Sequence, residues 1–215
     1  MLRIRPPLPL GAKTSWVERS VLVSATAFYE KFQNFQLNTF TGINFVVASI
    51  PQVTSRGVDA DFLWLVPDRR LSFQGGVTYA ETTYGNFTPG PGISARLPNN
   101  TVSFAPRWSG TLAATYSRPF GGNLMWRANV GAKTTSAYNT GSDLNPGKVQ
   151  SAFTLVNARL GFGSENERWM LEAWGQNVLN RDYYQLVYDA PLQTGTLDAY
   201  LGAPRTYGLT LRVSF

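Results

Sequence analysis

The chain ends in "APRTYGLTLRVSF" (203–215), where apolar and polar residues alternate strictly from Tyr207 onward. The apolar positions of this stretch are Tyr207, Leu209, Leu211, Val213 and Phe215. Successive side chains of a β-strand point to opposite faces, so this period of two predicts a strand with one apolar face and one polar face. The rest of the chain follows the same period, and no sustained helical period appears. The sequence therefore predicts an all-β protein.

The composition excludes most catalytic chemistry. Charged residues make up 15% of the chain, below the roughly 25% of soluble domains, and there is no His and no Cys. No disulfide scaffold, thiolate nucleophile or Ser-His-Asp arrangement is available. We therefore expect no catalytic residue, no metal site, no cofactor and no enzyme. The net charge is +6, but Lys and Arg are scattered, so we expect no nucleic-acid partner either.

Alternation predicts nine strands, most of them longer than the roughly 5–6 residues of an average globular strand. Their expected bounds are 11–17, 21–33, 55–66, 71–84, 108–118, 123–135, 152–163, 168–179 and 204–215. Residues 39–50 are expected to extend the second or third strand as an outer hairpin. Strands of about 9–11 residues cross a bilayer at a tilt, so these lengths suit a membrane barrel.

The connections between the predicted strands alternate in length. The short ones are 18–20, 67–70, 119–122 and 164–167, and the long ones are 34–54, 85–107, 136–151 and 180–203. Bacterial outer-membrane barrels have short periplasmic turns and long extracellular loops. The sequence thus predicts an antiparallel up-and-down transmembrane β-barrel meander of about 8–10 strands.

The two faces of these strands have different expected environments. In the strand 123–135, Leu124 and Val130 share an apolar face that we expect to meet lipid, while Arg127 lies on the polar face. Aromatic residues near strand ends, such as Trp126, suit the interfacial girdles of membrane barrels. The polar residues expected to face a lumen are Asp59, Asp61, Arg127, Lys133, Arg159, Glu172 and Arg212. We expect these carboxylates to pair with arginines across strands rather than to catalyse a reaction.

Five stretches, in the same order along the chain, resemble the C-terminal barrel of TonB-dependent outer-membrane receptors. "WMLEAWGQNVLNRDYY" (169–184) is similar to their penultimate strand and "SRGVDADF" (55–62) to their "G-V-E-L-E" strand. "GAKTSWVERSVLVSATAFYEKFQNFQ" (11–36), "FTLVNARLGF" (153–162) and the final strand complete the set. The positions that match the family motif of the penultimate strand are Trp169, Asn177, Asn180, Arg181 and Tyr184.

The resemblance implies a receptor for energised uptake of a scarce ligand of the siderophore-iron, cobalamin or carbohydrate class. Such receptors are barrels of roughly 22 strands with a plug, and the plug and the earlier strands have no counterpart here. We therefore expect 11–215 to be the C-terminal portion of a receptor barrel, forming an incomplete, open wall. Residues 1–10 are expected to be unstructured and look like a spurious start. The implied location is the bacterial outer membrane, with the export signal missing from this chain.

The resemblance also implies partners. These are outer-membrane lipid, the barrel-assembly machinery, the TonB complex through the missing plug only, and a transported small ligand that the sequence does not identify. The C-terminal residues Tyr207, Leu209, Leu211, Val213 and Phe215 are similar to the signal that the assembly machinery reads. In the long loop 180–203, Tyr183, Tyr188 and Tyr200 are candidates for contact with the ligand, because Tyr offers a ring and a hydroxyl at low entropy cost.

Two alternatives remain open from the sequence. The first is a free-standing eight-stranded outer-membrane barrel that acts as an anchor, an adhesin or a small pore, and it requires residues 21–33 to pair with 204–215. The second is a soluble β-barrel that binds an apolar ligand, and it requires the Leu and Trp faces to point inward.

Overall fold

A computed structural model of the chain describes residues 3–4, 10–16, 20–40, 43–67 and 70–214. The strands are β1 Arg3–Ile4, β2 Leu10–Trp16, β3 Val21–Phe40, β4 Phe45–Leu65, β5 Leu71–Tyr84, β6 Trp108–Pro119, β7 Leu124–Thr135, β8 Tyr138–Asn139, β9 Val149–Gln150, β10 Phe153–Ser164, β11 Trp169–Gln176, β12 Tyr184–Asp189, β13 Leu197–Leu201 and β14 Thr206–Val213. The helical content of the described ranges is a 3-10 helix, Pro146–Lys148. No helix within those ranges is long and apolar enough to span a membrane.

The main sheet is an antiparallel meander. The order of neighbouring strands in this sheet is β1-β3-β4-β5-β6-β7-β10-β11-β14, and β2 also pairs with β3. The nine predicted strands correspond to β2 to β7, β10, β11 and β14, so the predicted all-β meander is confirmed. Within the described residues β14 pairs with β11 alone. The sheet is therefore an open wall, and the pairing of 21–33 with 204–215 that a free-standing eight-stranded barrel needs does not occur.

Several predicted bounds were wrong in detail. The strands β3 and β4 are longer than 21–33 and 55–66, because the expected outer hairpin of 39–50 continues both of them to Phe40 and from Phe45. The strand β11 ends at Gln176 rather than 179, since the backbone turns at Asn177 with a positive φ of 47°.

The segments expected to lack strands also differ from the prediction. The predicted loops 136–151 and 180–203 contain the hairpins β8–β9 and β12–β13. In the segment 1–10, Arg3, Ile4 and Leu10 lie in strands, although no structure was expected there. The predicted signal residue Phe215 lies outside the described residues.

Over most of the wall, strand register separates an apolar face from a polar face. Cross-strand partners share a face, and one row runs Val23, Phe62, Gly75, Leu112, Ala132 and Val156. The adjacent row on the other face runs Lys13, Ser24, Asp61, Gly76, Thr111 and Lys133. Apolar side chains at Leu112, Val130 and Leu160 are about half exposed, at 53%, 50% and 51%. The soluble-barrel alternative, which needs this face inside, disagrees with the exposure.

The polar face lies on the inside of a curved sheet. Residues of the strands from β2 to β10 line one trough of about 570 Å³, and most of them, among them Lys13, Asp61, Thr111 and Lys133, belong to the polar face. A flat sheet could not bring residues of so many strands around one cavity. The curvature therefore places the polar row on the concave side and the apolar row on the convex side.

The apolar side chains change sides at the long-loop end of β3 and β4. Gln33 pairs with Gln52 and Phe35 with Ile50, so the regular ladder is interrupted between these pairs, at Asn34 and Pro51. Asn34 adopts a positive φ of 55°, which Asn tolerates, and Pro is accepted at such an irregularity because it donates no ladder hydrogen bond. Beyond this point Leu37 and Ile50 are buried toward the concave side.

The change of sides creates a small apolar core beneath the long connections. Leu37, Ile50, Val53, Tyr84 and Leu97 form one buried cluster. Leu97 belongs to the loop 85–107 and is fully buried. This loop is therefore packed against the inner wall.

We expect Gly57→Ala to destabilise the wall, because a Cβ at Gly57 would overlap the carbonyl oxygen of Tyr79 on β5. Displacing that backbone should cost about 1–3 kcal/mol. The matched control is Gly131→Ala, whose Cβ would meet only the Ala113 Cβ at 3.7 Å. Urea unfolding of the refolded protein in lipid vesicles measures both. Equal stability of the two variants would contradict the packing described here.

Candidate ligand-binding cavity

The long connections are joined to one another by hydrogen bonds. The loop 85–107 contacts the next one where Ser94 Oγ donates to the Asp143 carbonyl at 2.7 Å. That loop in turn contacts β12, since Val187 N donates to Thr140 Oγ1 at 3.0 Å and Tyr184 N to Gln150 Oε1 at 2.5 Å. The connections therefore form one layered assembly at this end of the wall.

A cavity of about 390 Å³ lies within this assembly. Its aromatic lining is Phe40, Phe45, Phe104, Tyr188 and Tyr200. The rings of Phe40 and Phe45 lie 4.9 Å apart across the tip of the β3–β4 hairpin. The rings of Tyr188 and Tyr200 stack at 5.6 Å across β12 and β13. The cavity thus has aromatic walls contributed by separate parts of the sequence, as ligand pockets commonly have.

A buried ammonium group lies at the edge of the cavity. Lys148 is 4% exposed, and its Nζ is 2.7 Å from Asp189 Oδ2 and 3.0 Å from Asp143 Oδ1. The 3-10 helix that ends at Lys148 is capped by the Asn145 side chain, which accepts from Gly147 N. A buried ion pair is costly to desolvate, and its geometry here fixes the loop 136–151 to the hairpin β12–β13.

The glycine at position 141 makes room for this lysine. A Cβ there would come within 2.6 Å of Asp143 Oδ1 and would overlap the Lys148 Cδ. The backbone of the loop can therefore wrap closely around the lysine stem only because this position carries no side chain.

Two of the three tyrosines predicted as ligand contacts line the cavity. Tyr188 and Tyr200 face each other there, and the Tyr200 hydroxyl raises the pKa of Tyr188 above its ordinary value, with smaller effects of burial and of Asp198. Tyr188 is therefore an uncharged phenol at neutral pH. Tyr183 lies elsewhere, with its ring stacked on Phe153 at 4.6 Å, so it is placed away from this cavity.

Sequence reasoning missed the other cavity residues. No sequence motif links Lys148 to Asp143, which lies in the same loop. Asp189 is far from both along the chain, and nothing in the pattern pairs it with Lys148. Phe40 and Phe45 flank the tip of an expected hairpin, which was a usable signal. Phe104 carried no signal, because its place depends on how the loop 85–107 folds inward.

The family-motif residue Asn177 fastens the base of the loop that carries β12 and β13. It is buried, and its Nδ2 donates to the carbonyls of Arg181 at 2.9 Å and Ala203 at 3.0 Å. Its Oδ1 accepts from Arg181 N at 2.8 Å. One side chain thus joins the end of β11, the start of the loop and the approach to β14.

Of the other motif positions, Asn180 and Tyr184 lie in the same region and Trp169 does not. Asn180 also adopts a positive φ, of 49°, and its Oδ1 accepts from Arg205 N at 3.2 Å. The Tyr184 backbone bonds Gln150, as described above. Trp169 lies at the opposite, short-turn end of β11, where its ring meets Phe162 edge-on at 5.8 Å.

All seven residues predicted to line a lumen lie on the polar face by register. Glu172 is flanked by Arg159 and Arg212 at 3.8 and 3.7 Å, and Arg127 pairs with Glu167 at 2.6 Å. Asp59 accepts from Thr78 Oγ1 at 2.5 Å. Glu172 thus has arginines on both neighbouring strands, as expected, whereas Asp59 is bound by a threonine. The described residues hold no cluster of three or more potential metal ligands.

The C-terminal strand forms the edge of the wall. Tyr207, Leu209, Leu211 and Val213 lie on its apolar face and are exposed. Only β11 borders this strand in the described part of the chain, so its outer edge presents backbone groups to a further strand.

Long strands with an apolar convex face, a polar concave face and interlocked loops at one end are typical of the wall of a membrane β-barrel. The family model described as "TonB dependent receptor-like, beta-barrel" matches residues 10–178. The chain therefore belongs to this family. No curated protein matches it.

Solved structures share the fold at low identity. The ferric yersiniabactin uptake receptor FyuA from Yersinia pestis is 16% identical with a TM-score of 0.77, over 97% of this chain and 30% of that one. The ferric preacinetobactin receptor BauA from Acinetobacter baumannii is 17% identical with a TM-score of 0.67, over 95% and 28%. The ferric citrate transporter FecA is 20% identical with a TM-score of 0.67, over 96% and 31%. The chain thus spans less than a third of these proteins.

We expect Asn177→Asp to loosen the loop base, because two buried donor contacts become contacts between a carboxylate and carbonyl oxygens. The local cost should be about 2–4 kcal/mol. Arg181 and Arg205 flank the loop, so trypsin should cleave there roughly 30-fold faster or more, because cleavage follows the population of the open loop. Asn180→Asp is the control, since its bond to Arg205 N uses the side-chain oxygen that Asp retains. Equal cleavage of the two variants would refute the role of Asn177.

Proposed function

We propose that this chain forms the C-terminal barrel wall of an outer-membrane receptor for the energised uptake of a scarce ligand. Among the siderophore-iron, cobalamin and carbohydrate classes, siderophore-bound iron is favoured. The receptors of similar fold are named for ferric yersiniabactin, ferric preacinetobactin and ferric citrate, and one ferripyoverdine receptor of similar fold is named as an outer-membrane protein.

The exposed apolar face carries the proposal. An exposed apolar surface that extends over many strands is unusual for a protein in water, and lipid is the environment that would cover it. Aromatic pairs lie at both ends of this face, with Trp64 and Phe73 near a short turn and Tyr79 and Trp108 near the long loops. Such pairs are typical of the two girdles of a membrane barrel.

The parts of the wall have separate proposed roles. The loop assembly with its aromatic cavity would contact the ligand, and the polar face with Asp61, Lys133 and Arg159 would line the lumen and meet a plug in the complete receptor. Energy would reach the ligand through a TonB complex acting on that plug. The chain would bind and guide the ligand without a covalent step, so no enzymatic activity is proposed.

The apolar row of β14 has a proposed role in assembly. An edge strand with free backbone groups can be captured by strand addition. We infer that the barrel-assembly machinery takes up this edge, with Tyr207, Leu209, Leu211 and Val213 as the side chains it reads. In the finished barrel the same edge would pair with the first strand of the receptor.

Uptake in cells tests the receptor role. A Gram-negative host that lacks the gene for the complete receptor, with its plug and this wall, should accumulate less radiolabelled ferric siderophore than one that carries it. A protonophore should abolish the accumulation and leave surface binding intact, because binding to loops needs no energy. Accumulation that is independent of the gene, or recovery of the protein in the soluble fraction, would refute the proposal.

A pair of adjacent substitutions tests the lipid-facing side. Leu112→Arg places a charge on the apolar face near the middle of β6 and should cost about 2–4 kcal/mol of unfolding free energy in lipid vesicles. Thr111→Arg places the same charge on the polar face, in the row of Asp61, and should cost less than about 1 kcal/mol. Equal losses would contradict the proposed orientation.

A further inference from the structure

The cavity between the loops is surrounded by more negative than positive charge. Lys148 is the one basic residue among the described residues that line it. Its ammonium is already bound by Asp143 and Asp189, so this trio carries a net charge of −1. Asp198, the cross-strand partner of Tyr188, adds another carboxylate beside the cavity.

Two of these carboxylates remain accessible. The Asp189 side chain lines the cavity and is 37% exposed even while it binds Lys148, and Asp198 is exposed. The described residues of the facing hairpin tip, 34–40 and 43–44, include no charged residue. A ligand that enters between the tip and the hairpin β12–β13 therefore meets acidic groups on one side and no compensating base on the other.

The aromatic walls favour the same sign of ligand charge. The faces of Phe40, Phe45, Phe104, Tyr188 and Tyr200 carry negative electrostatic potential, and cations bind such faces. An anionic ligand would normally be held by Arg or Lys donors in a fork or cluster, and the described lining offers none that is free of a carboxylate. The ring faces and the lack of a free basic side chain both disfavour an anionic ligand.

We propose that this cavity selects a ligand that carries an organic cation, such as an ammonium group on an apolar or aromatic frame. The cation lies against the ring faces of Tyr188 and Tyr200 and within reach of the Asp189 and Asp198 carboxylates. The ion-paired Lys148 fixes Asp189 in place and leaves the surplus negative charge for the ligand. This ligand class rests on the proposed function only in treating the cavity as the receptor's ligand-facing site.

A pair of probes of similar size and opposite charge tests the proposal. The full chain is inserted into nanodiscs of zwitterionic lipid, and binding of benzyltrimethylammonium and of benzenesulfonate is measured by saturation-transfer NMR. We expect the cation to bind about tenfold more tightly than the anion at low salt, with the difference shrinking as salt screens the carboxylates. Equal binding of the two probes, or tighter binding of the anion, overturns the proposal. This comparison needs no variant.

Variants locate the binding to the cavity. Asp198→Asn leaves the Lys148 ion pairs intact and should weaken cation binding about threefold, and Tyr200→Leu should do so by a similar factor. Asp182→Asn is the matched control, because Asp182 is an acidic residue of the same loop that neither lines the cavity nor is the cross-strand partner of a residue that does. If all three variants bind the cation as the parent does, the site lies elsewhere and the proposal fails.

The outcome is separable from the receptor role. Energised uptake together with a preference for the anion would refute the ligand class and leave the receptor in place. A cation preference that depends on Tyr200 and Asp198, without energised uptake, would support the cavity and refute the receptor.

Discussion

The arrangement of this protein depends on one constraint, that cross-strand partners in a paired sheet lie on the same face. Because the sequence alternates with a period of two, pairing of each strand with its neighbour gathers apolar residues into rows on one side and polar residues on the other. Leu112 and Thr111 are adjacent along β6, but the rows that they belong to lie on opposite faces of the sheet. A register slip of one residue would exchange them on that strand.

At the long-loop end of the wall the apolar side chains instead point inward and pack around a core. The change occurs where Asn34 and Pro51 leave the register, and it allows Leu37 and Ile50 to pack on Leu97. This packing holds the loop 85–107 against the wall, and the ion pairs of Lys148 hold the next two loops together. The cavity is a consequence of both contacts, because its walls come from loops that neither contact alone would bring together.

Alternation and loop lengths were sufficient to predict the meander, the order of its strands and the outer hairpin of β3 and β4. They also separated the faces, because the side-chain period needs no knowledge of the partner strand. The hairpin β12–β13 was missed, since its short strands Tyr184–Asp189 and Leu197–Leu201 are stabilised by contacts such as that between Val187 and Thr140. Among the candidate ligand contacts, Tyr188 and Tyr200 were predicted on residue type alone. The pairing of Lys148 with Asp189 was beyond prediction, because it joins two loops through a fold that only the packed core defines.

The central claim, that the convex apolar face meets lipid, is open to a direct measurement because the protein has no Cys. Spin labels attached at Leu112→Cys and Thr111→Cys, in the chain reconstituted in lipid, report collisions with oxygen and with a water-soluble nickel chelate. The account predicts that the label at 112 collides mainly with oxygen and the label at 111 mainly with the chelate, and that the alternation continues along β6. Labels that both meet the chelate, or a reversed alternation, would contradict it.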